Sequence, residues 1–188
     1  MGRYTTPYAH GARAVRRPFS LDRVKTDKLY LVGFMGAGKT TVGRALSRRL
    51  GWRFVDVDER IEARTRLSVA SIFAQQGEPA FRQLEREVLS DLLPQRQVIV
   101  ATGGGTFAEA DNRAVMLADG AVAWLDVPLA TVIERVPADG RRPLAADRTA
   151  MEQLYARRRL AYAEAHLRID ASRPPAESVD RLLEWIGY

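Results

Sequence analysis

The octapeptide Gly33-Phe34-Met35-Gly36-Ala37-Gly38-Lys39-Thr40 constrains this chain more than any other segment. It satisfies G-x-x-x-x-G-K-[ST] and lies between an apolar run, Leu29-Tyr30-Leu31-Val32, and a helical pattern over Thr41–Leu50. In that pattern Val42, Leu46 and Leu50 recur every four residues, and Gly51 supplies the stop. The glycines let the backbone turn tightly with its N–H groups inward, and the helix that follows adds the positive end of its dipole. The segment is therefore built to hold polyphosphate. Lys39 supplies a point charge for β- and γ-phosphates, and the Thr40 hydroxyl is placed to coordinate Mg²⁺.

The remainder of the chain alternates short apolar runs with helix-period segments. Strands are predicted at Phe54–Val57, Val98–Ala101, Ala121–Leu125 and Leu167–Ile169, with helices between them and a closing amphipathic helix ending near Trp185. Between Val57 and Val98 two helical stretches are expected, the second with Phe81, Leu84, Val88 and Leu92 on its apolar face and Arg82, Glu85 and Arg86 off that stripe. Five strands alternating with helices predict a three-layer α/β/α domain around a five-stranded parallel sheet, with ligands at the carboxyl ends of the strands.

Composition narrows the chemistry. The chain has 188 residues, one domain's length, and no run approaches the roughly 18 apolar residues of a membrane span. Cysteine is absent and His10 and His166 are far apart, which excludes thiolate zinc sites and cysteine nucleophiles and leaves oxygen to hold any metal. The net charge is +6, but residues 1–28 carry seven basic side chains against two acidic ones, so the body beyond them is nearly neutral. Residues 1–27 read as a flexible basic N-terminal extension to a domain over 28–188. Only Lys25, Lys28 and Lys39 are lysine, which makes Lys39 a rare choice within an arginine-rich body.

Three further groups of residues carry chemistry. Asp56 and Asp58 stand at i and i+2 where a strand ends, so in extended backbone both carboxylates face one side and could serve a cation and a substrate hydroxyl. Alternatively, Asp58 caps a helix starting at Glu59. Gly103-Gly104-Gly105 follows a buried strand, at the end where ligands bind. Arg141-Arg142-Pro143-Leu144 sits in a polar loop from Pro137 to Arg148 that is long for a connector and suits a closing lid.

Together, GFMGAGKTTVGRALSRRLGWRFVDVDERIE, GEPAFRQLE, ATGGG, RRPL and RRRLAYAEA, in this order, resemble the shikimate kinase family from about Leu29 to Tyr188. The resemblance implies a P-loop kinase fold with a mobile lid, and transfer of the γ-phosphoryl of ATP to the 3-hydroxyl of shikimate in aromatic amino-acid biosynthesis. It implies that Gly36, Ala37, Gly38, Lys39, Thr40 and Thr41 hold the phosphates, with Thr40 and, through water, Asp56 on Mg²⁺. Asp58 would position or deprotonate the attacking hydroxyl. Arg82 and Arg158 would clamp the shikimate carboxylate over Gly103, Gly104 and Gly105, Arg142 would close over ATP, and Arg135 and Arg173 would lie on the adenine side. In place of the family's frequent proline the run is Arg158-Arg159-Leu160-Ala161-Tyr162, which leaves Arg157 and Arg159 as alternatives to Arg158. The expected setting is a cytoplasmic monomer with no membrane or nucleic-acid partner. Competing readings are a kinase of another specificity, for gluconate or nucleoside monophosphates, and a catalytically silent nucleotide-binding module.

Overall fold

The computed structural model describes residues 24–135 and 148–188. The chain runs β1 (Lys28–Val32), α1 (Lys39–Leu50), β2 (Arg53–Asp56), α2 (Val57–Thr65), α3 (Val69–Leu92), β3 (Val98–Ala101), a 3₁₀ turn (Thr106–Ala108) and α4 (Ala110–Asp119). It continues through β4 (Ala121–Asp126), α5 (Leu129–Arg135), α6 (Arg148–Tyr162), β5 (Leu167–Asp170) and α7 (Pro175–Ile186). The sheet order is β2-β3-β1-β4-β5, and all four pairings are parallel. Every residue of β1, β3 and β4 is buried, as expected of strands covered on both faces.

This order fixes where a ligand can sit. After β1 the chain crosses to β2 on one side, and after β3 it crosses back over β1 to β4, so the carboxyl ends of β1 and β3 flank the point where winding reverses. Leu31 is in register with Ala101, and the Leu31 carbonyl accepts from the Thr102 N–H at 3.1 Å. The loops beginning at Gly33 and Gly103 therefore leave the sheet side by side.

Local differences from the sequence reading have identifiable causes. Helix α1 starts at Lys39 rather than Thr41 because Gly38, at φ 87°, is its N-cap. Strand β2 stops at Asp56 rather than Val57 because the Asp56 side chain caps α2, accepting from the N–H groups of Asp58 at 3.0 Å and Glu59 at 3.4 Å. Helix α3 is broken at Gly77 (φ 80°, ψ 173°), and Pro79 opens its second part.

Lys28, grouped by its sequence position with the basic N-terminal charges, belongs to the interior. Its fully buried ammonium donates to the Leu92 and Leu93 carbonyls at 2.8 and 2.9 Å and to Asp119 Oδ2 at 2.7 Å. It thereby satisfies the carboxyl end of α3 at the pole of the sheet opposite the phosphate loop. The Tyr30 hydroxyl donates to the same Asp119 oxygen at 2.5 Å. Just upstream, the Val24 N–H donates to the Trp185 carbonyl at 2.8 Å, fastening the chain to the end of α7. No helix among the described residues is long and apolar enough to cross a membrane.

Candidate active site

The phosphate loop is fitted closely to the sheet. A Cβ on Gly33 (φ 141°) would lie 2.5 Å from the Leu125 carbonyl oxygen, so only glycine lets the loop leave β1 against β4. The Ala37 N–H closes the turn onto the Phe34 carbonyl at 3.2 Å. Lys39 Nζ donates to the Gly33 and Phe34 carbonyls at 2.8 and 2.9 Å, which holds the ammonium against the loop. No side chain caps α1 at Gly38, so its first-turn N–H groups suit an anion.

Thr40 and Asp56 come together. The Thr40 hydroxyl donates to Asp56 Oδ2 at 2.7 Å, while Asp56 Oδ1 is occupied with the N-terminus of α2. One hydroxyl and one carboxylate are hard oxygen donors of the kind Mg²⁺ takes from a protein, the remaining positions being left to water and phosphate.

The extended-backbone argument for the aspartates needs correction. Asp58 lies in the first turn of α2, and Asp56 rather than Asp58 caps that helix. Asp58 reaches the glycine turn instead: a Cβ on Gly103 would meet Asp58 Oδ1 at 2.8 Å, Glu85 Oε1 at 2.9 Å and Thr106 Oγ1 at 3.0 Å. The next glycine touches the opposite wall. A Cβ on Gly104 would lie 3.2 Å from Arg158 Nη1 and 3.4 Å from the Met35 amide nitrogen of the phosphate loop. On Gly105 it would lie 2.5 Å from both terminal nitrogens of Arg82. The three glycines thus bring Asp58, Arg158 and Arg82 around one turn, which borders the phosphate loop.

The two arginines differ electrostatically. Burial works against the Arg82 charge, but ion pairs with Glu85 at 2.6 Å and Glu78 at 2.7 Å outweigh it and hold the guanidinium above its ordinary range. Burial, reinforced by the nearby Arg82, pulls Arg158 below that range. Arg158 lies over the Phe34 ring, 5.7 Å from its centroid, and forms no ion pair among the described residues. A half-buried guanidinium that forms no ion pair among the described residues, beside a second guanidinium, is suited to an anionic substrate group. Its neighbours in sequence do other things: Arg157 is exposed, and Arg159 binds Asp126 at 3.2 Å and the Tyr155 hydroxyl at 2.8 Å.

Arg135 and Arg173 are both bound at the loop between β5 and α7 and the start of α7. Arg135 donates to the Ala171 and Ser172 carbonyls at 3.3 and 3.5 Å, and Arg173 pairs with Glu177 at 3.2 Å. The lid expected from Pro137, with Arg142, lies outside the described residues, apart from Arg148 at the start of α6. Sequence reasoning missed Glu85, Thr106 and Tyr162. Glu85, placed off the apolar stripe, is fully buried and accepts from the Thr106 hydroxyl and from Arg82. Its spacing of i+3 from Arg82 was the available signal. The Tyr162 hydroxyl donates to the Gly104 carbonyl, for which the sequence offered no sign.

The five-stranded parallel sheet of order β2-β3-β1-β4-β5, flanked by helices and carrying the G-x-x-x-x-G-K-T loop after β1, is the fold of the P-loop kinases. The family model for shikimate kinase matches residues 35–187. The shikimate kinase of Persephonella marina is 41% identical over 157 residues, covering 82% of this chain and 96% of that protein. The structure of the Acinetobacter baumannii shikimate kinase in complex with shikimate superposes with a TM-score of 0.79 at 36% identity, covering 86% of this chain and 93% of that one. A gluconokinase from Sinorhizobium meliloti, at 16% identity, TM-score 0.57 and coverage of 87% and 93%, shares the fold alone. The chain belongs to the shikimate kinase family.

Proposed function

We propose that the shikimate kinase reaction of this chain, transfer of the γ-phosphoryl of ATP to the 3-hydroxyl of shikimate to give shikimate 3-phosphate and ADP in aromatic amino-acid biosynthesis, is carried out by Lys39, Asp58 and Arg142. The observation that carries the reading is the convergence of Asp58, Arg82 and Arg158 on Gly103-Gly104-Gly105 beside the phosphate loop. Arg82 and Arg158 take the shikimate carboxylate, the glycine turn borders the ring, and Asp58 receives the hydroxyl that attacks, orienting it and accepting its proton. Gly36, Ala37, Gly38 and Thr41 surround the phosphates of ATP, and Lys39 stabilises charge on the transferred group. Thr40 and, through water, Asp56 would hold Mg²⁺, which would supply neutralisation of phosphate charge. Arg135, bonded to the β5–α7 loop, and Arg173, within that loop, take the adenine side. The role of Arg142, closing over ATP from the lid, rests on sequence resemblance.

The domain spans 28–188 with residues 1–27 as an extension, and the enzyme works as a cytoplasmic monomer without a membrane or nucleic-acid partner. The near-neutral charge beyond residue 28 supports the latter. The test is ADP release in a coupled assay with ATP and Mg²⁺, offering shikimate beside gluconate, quinate and nucleoside monophosphates. Turnover confined to shikimate is the expected result, and turnover on another acceptor in its place would overturn the reading.

A further inference from the structure

Helix α6 carries Arg158 to the acceptor pocket. Of its fifteen residues only Met151 and Tyr162 are buried. Tyr162 follows Arg158 by four residues, one helical turn, so the two share a face. Its ring packs against Trp124, centroids 5.9 Å apart, and its hydroxyl donates to the carbonyl of Gly104. Gly104 is also the glycine against which Arg158 rests, the distance from a Cβ there to Nη1 being 3.2 Å. One bond therefore ties the end of α6 to the turn that faces its arginine.

We infer that Tyr162 is a positioning residue of the acceptor site: by holding the Gly104 carbonyl, its hydroxyl sets the gap between the glycine turn and Arg158 in which the acceptor's carboxylate is gripped. This rests on the functional reading above. Three properties support it. Gly104 touches both residues, its carbonyl bound by Tyr162 and the place of a Cβ on it 3.2 Å from Arg158 Nη1. Tyr162 is 1% exposed, so water does not compete for the bond. Burial also pushes the Tyr162 phenol well above its ordinary range, which keeps it a donor at any working pH.

The test is Tyr162→Phe, which keeps the ring and removes the hydroxyl. The KM for shikimate is expected to rise about tenfold, the KM for ATP to stay within about twofold and kcat within about threefold. Trp124→Phe, which loosens the packing of the Tyr162 ring but leaves its hydroxyl, is expected to keep the shikimate KM within about twofold. In an Arg158→Lys background, where planar two-point contact is already lost, the effect of Tyr162→Phe is expected to shrink below about threefold. Calorimetric titration of shikimate onto each variant, with folding verified by near-ultraviolet circular dichroism, reads the same differences without turnover. An unchanged shikimate KM in Tyr162→Phe, an equal rise in the KM for ATP, an equal effect of Trp124→Phe, or full additivity with Arg158→Lys would each overturn the inference while leaving the function intact. A wild-type chain inert on shikimate would overturn the functional reading and the inference with it.

Discussion

Arg82 and Glu85 are bound at 2.6 Å, with Glu85 fully buried and Arg82 nearly so, and the second oxygen of the Glu85 carboxylate accepts from Thr106 at the end of the glycine turn. One carboxylate thus joins the middle of α3 to the loop after β3 and aims a guanidinium at the crevice between them. Removing either partner leaves a charge inside the protein with too little compensation. Glu85→Ala should therefore destabilise the fold by about 3–5 kcal/mol and lower Tm by roughly 10 °C, as read by thermal unfolding. Glu85→Gln, which keeps the shape, should fold and show a raised KM for shikimate. A Glu85→Ala variant as stable as wild type would contradict the role assigned to this pair.

Lys39→Ala should lower kcat about a thousandfold at saturating substrates, because a charge held against the phosphate loop acts mainly on the transferred group. Circular dichroism should show the fold intact. A kcat within tenfold of wild type would remove Lys39 from the mechanism.

The two aspartates should separate in a magnesium titration. Asp56 is bonded to Thr40 and Asp58 lies against Gly103. Asp56→Asn should raise the Mg²⁺ concentration needed for half-maximal rate by roughly tenfold, with much of kcat recovered at high Mg²⁺. Asp58→Asn should lose kcat by at least about a hundredfold at every Mg²⁺ concentration. Matching curves for the two variants would refute the division.

Arg82→Ala and Arg158→Ala should each raise the KM for shikimate by roughly two orders of magnitude, the loss of a charge-assisted contact to a carboxylate, with little change in the KM for ATP. Arg159→Ala, which loses its bonds to Asp126 and Tyr155, should alter stability more than the shikimate KM. Initial-rate kinetics with each substrate varied in turn separate these cases.

Alkaline unfolding should report the buried phenols. Burial raises Tyr30, helped by its bond to Asp119, and burial raises Tyr162. The unfolded chain releases these protons near pH 10 while the folded chain keeps them, so their stabilisation is complete below pH 10 and declines above it. Each phenol steepens that decline by up to about 1.4 kcal/mol per pH unit. Tyr30→Phe should show a shallower fall in denaturant midpoint between pH 10 and 11.5 than wild type, and an identical slope would count against the account.

Strands such as Val98–Ala101 were legible to the residue because a fully covered strand is a continuous apolar run with sharp ends. The phosphate loop was legible because its requirements are local: glycine at the turns, lysine and threonine at the helix start. Asp58 was named for its chemistry but misplaced in its geometry, since the switch from strand to helix at Asp56 depends on a side chain bonding backbone two and three residues on. Glu85 was hidden for a different reason. The periodicity of α3 describes the apolar face that joins the core, whereas Glu85 is bonded to Thr106 and Arg82. Lys28 was misread because its partners, Asp119 and the last carbonyls of α3, lie more than sixty residues away.

Lys28, Tyr30 and Asp119 sit at the amino-terminal rim of the sheet, a full strand length from the crevice where phosphate is handed over. The two ends of the sheet are consequently separate territories for protein engineering. None of the three residues of the Lys28 rim is among those assigned to the reaction, which makes that rim the place to seek durability without touching a catalytic side chain.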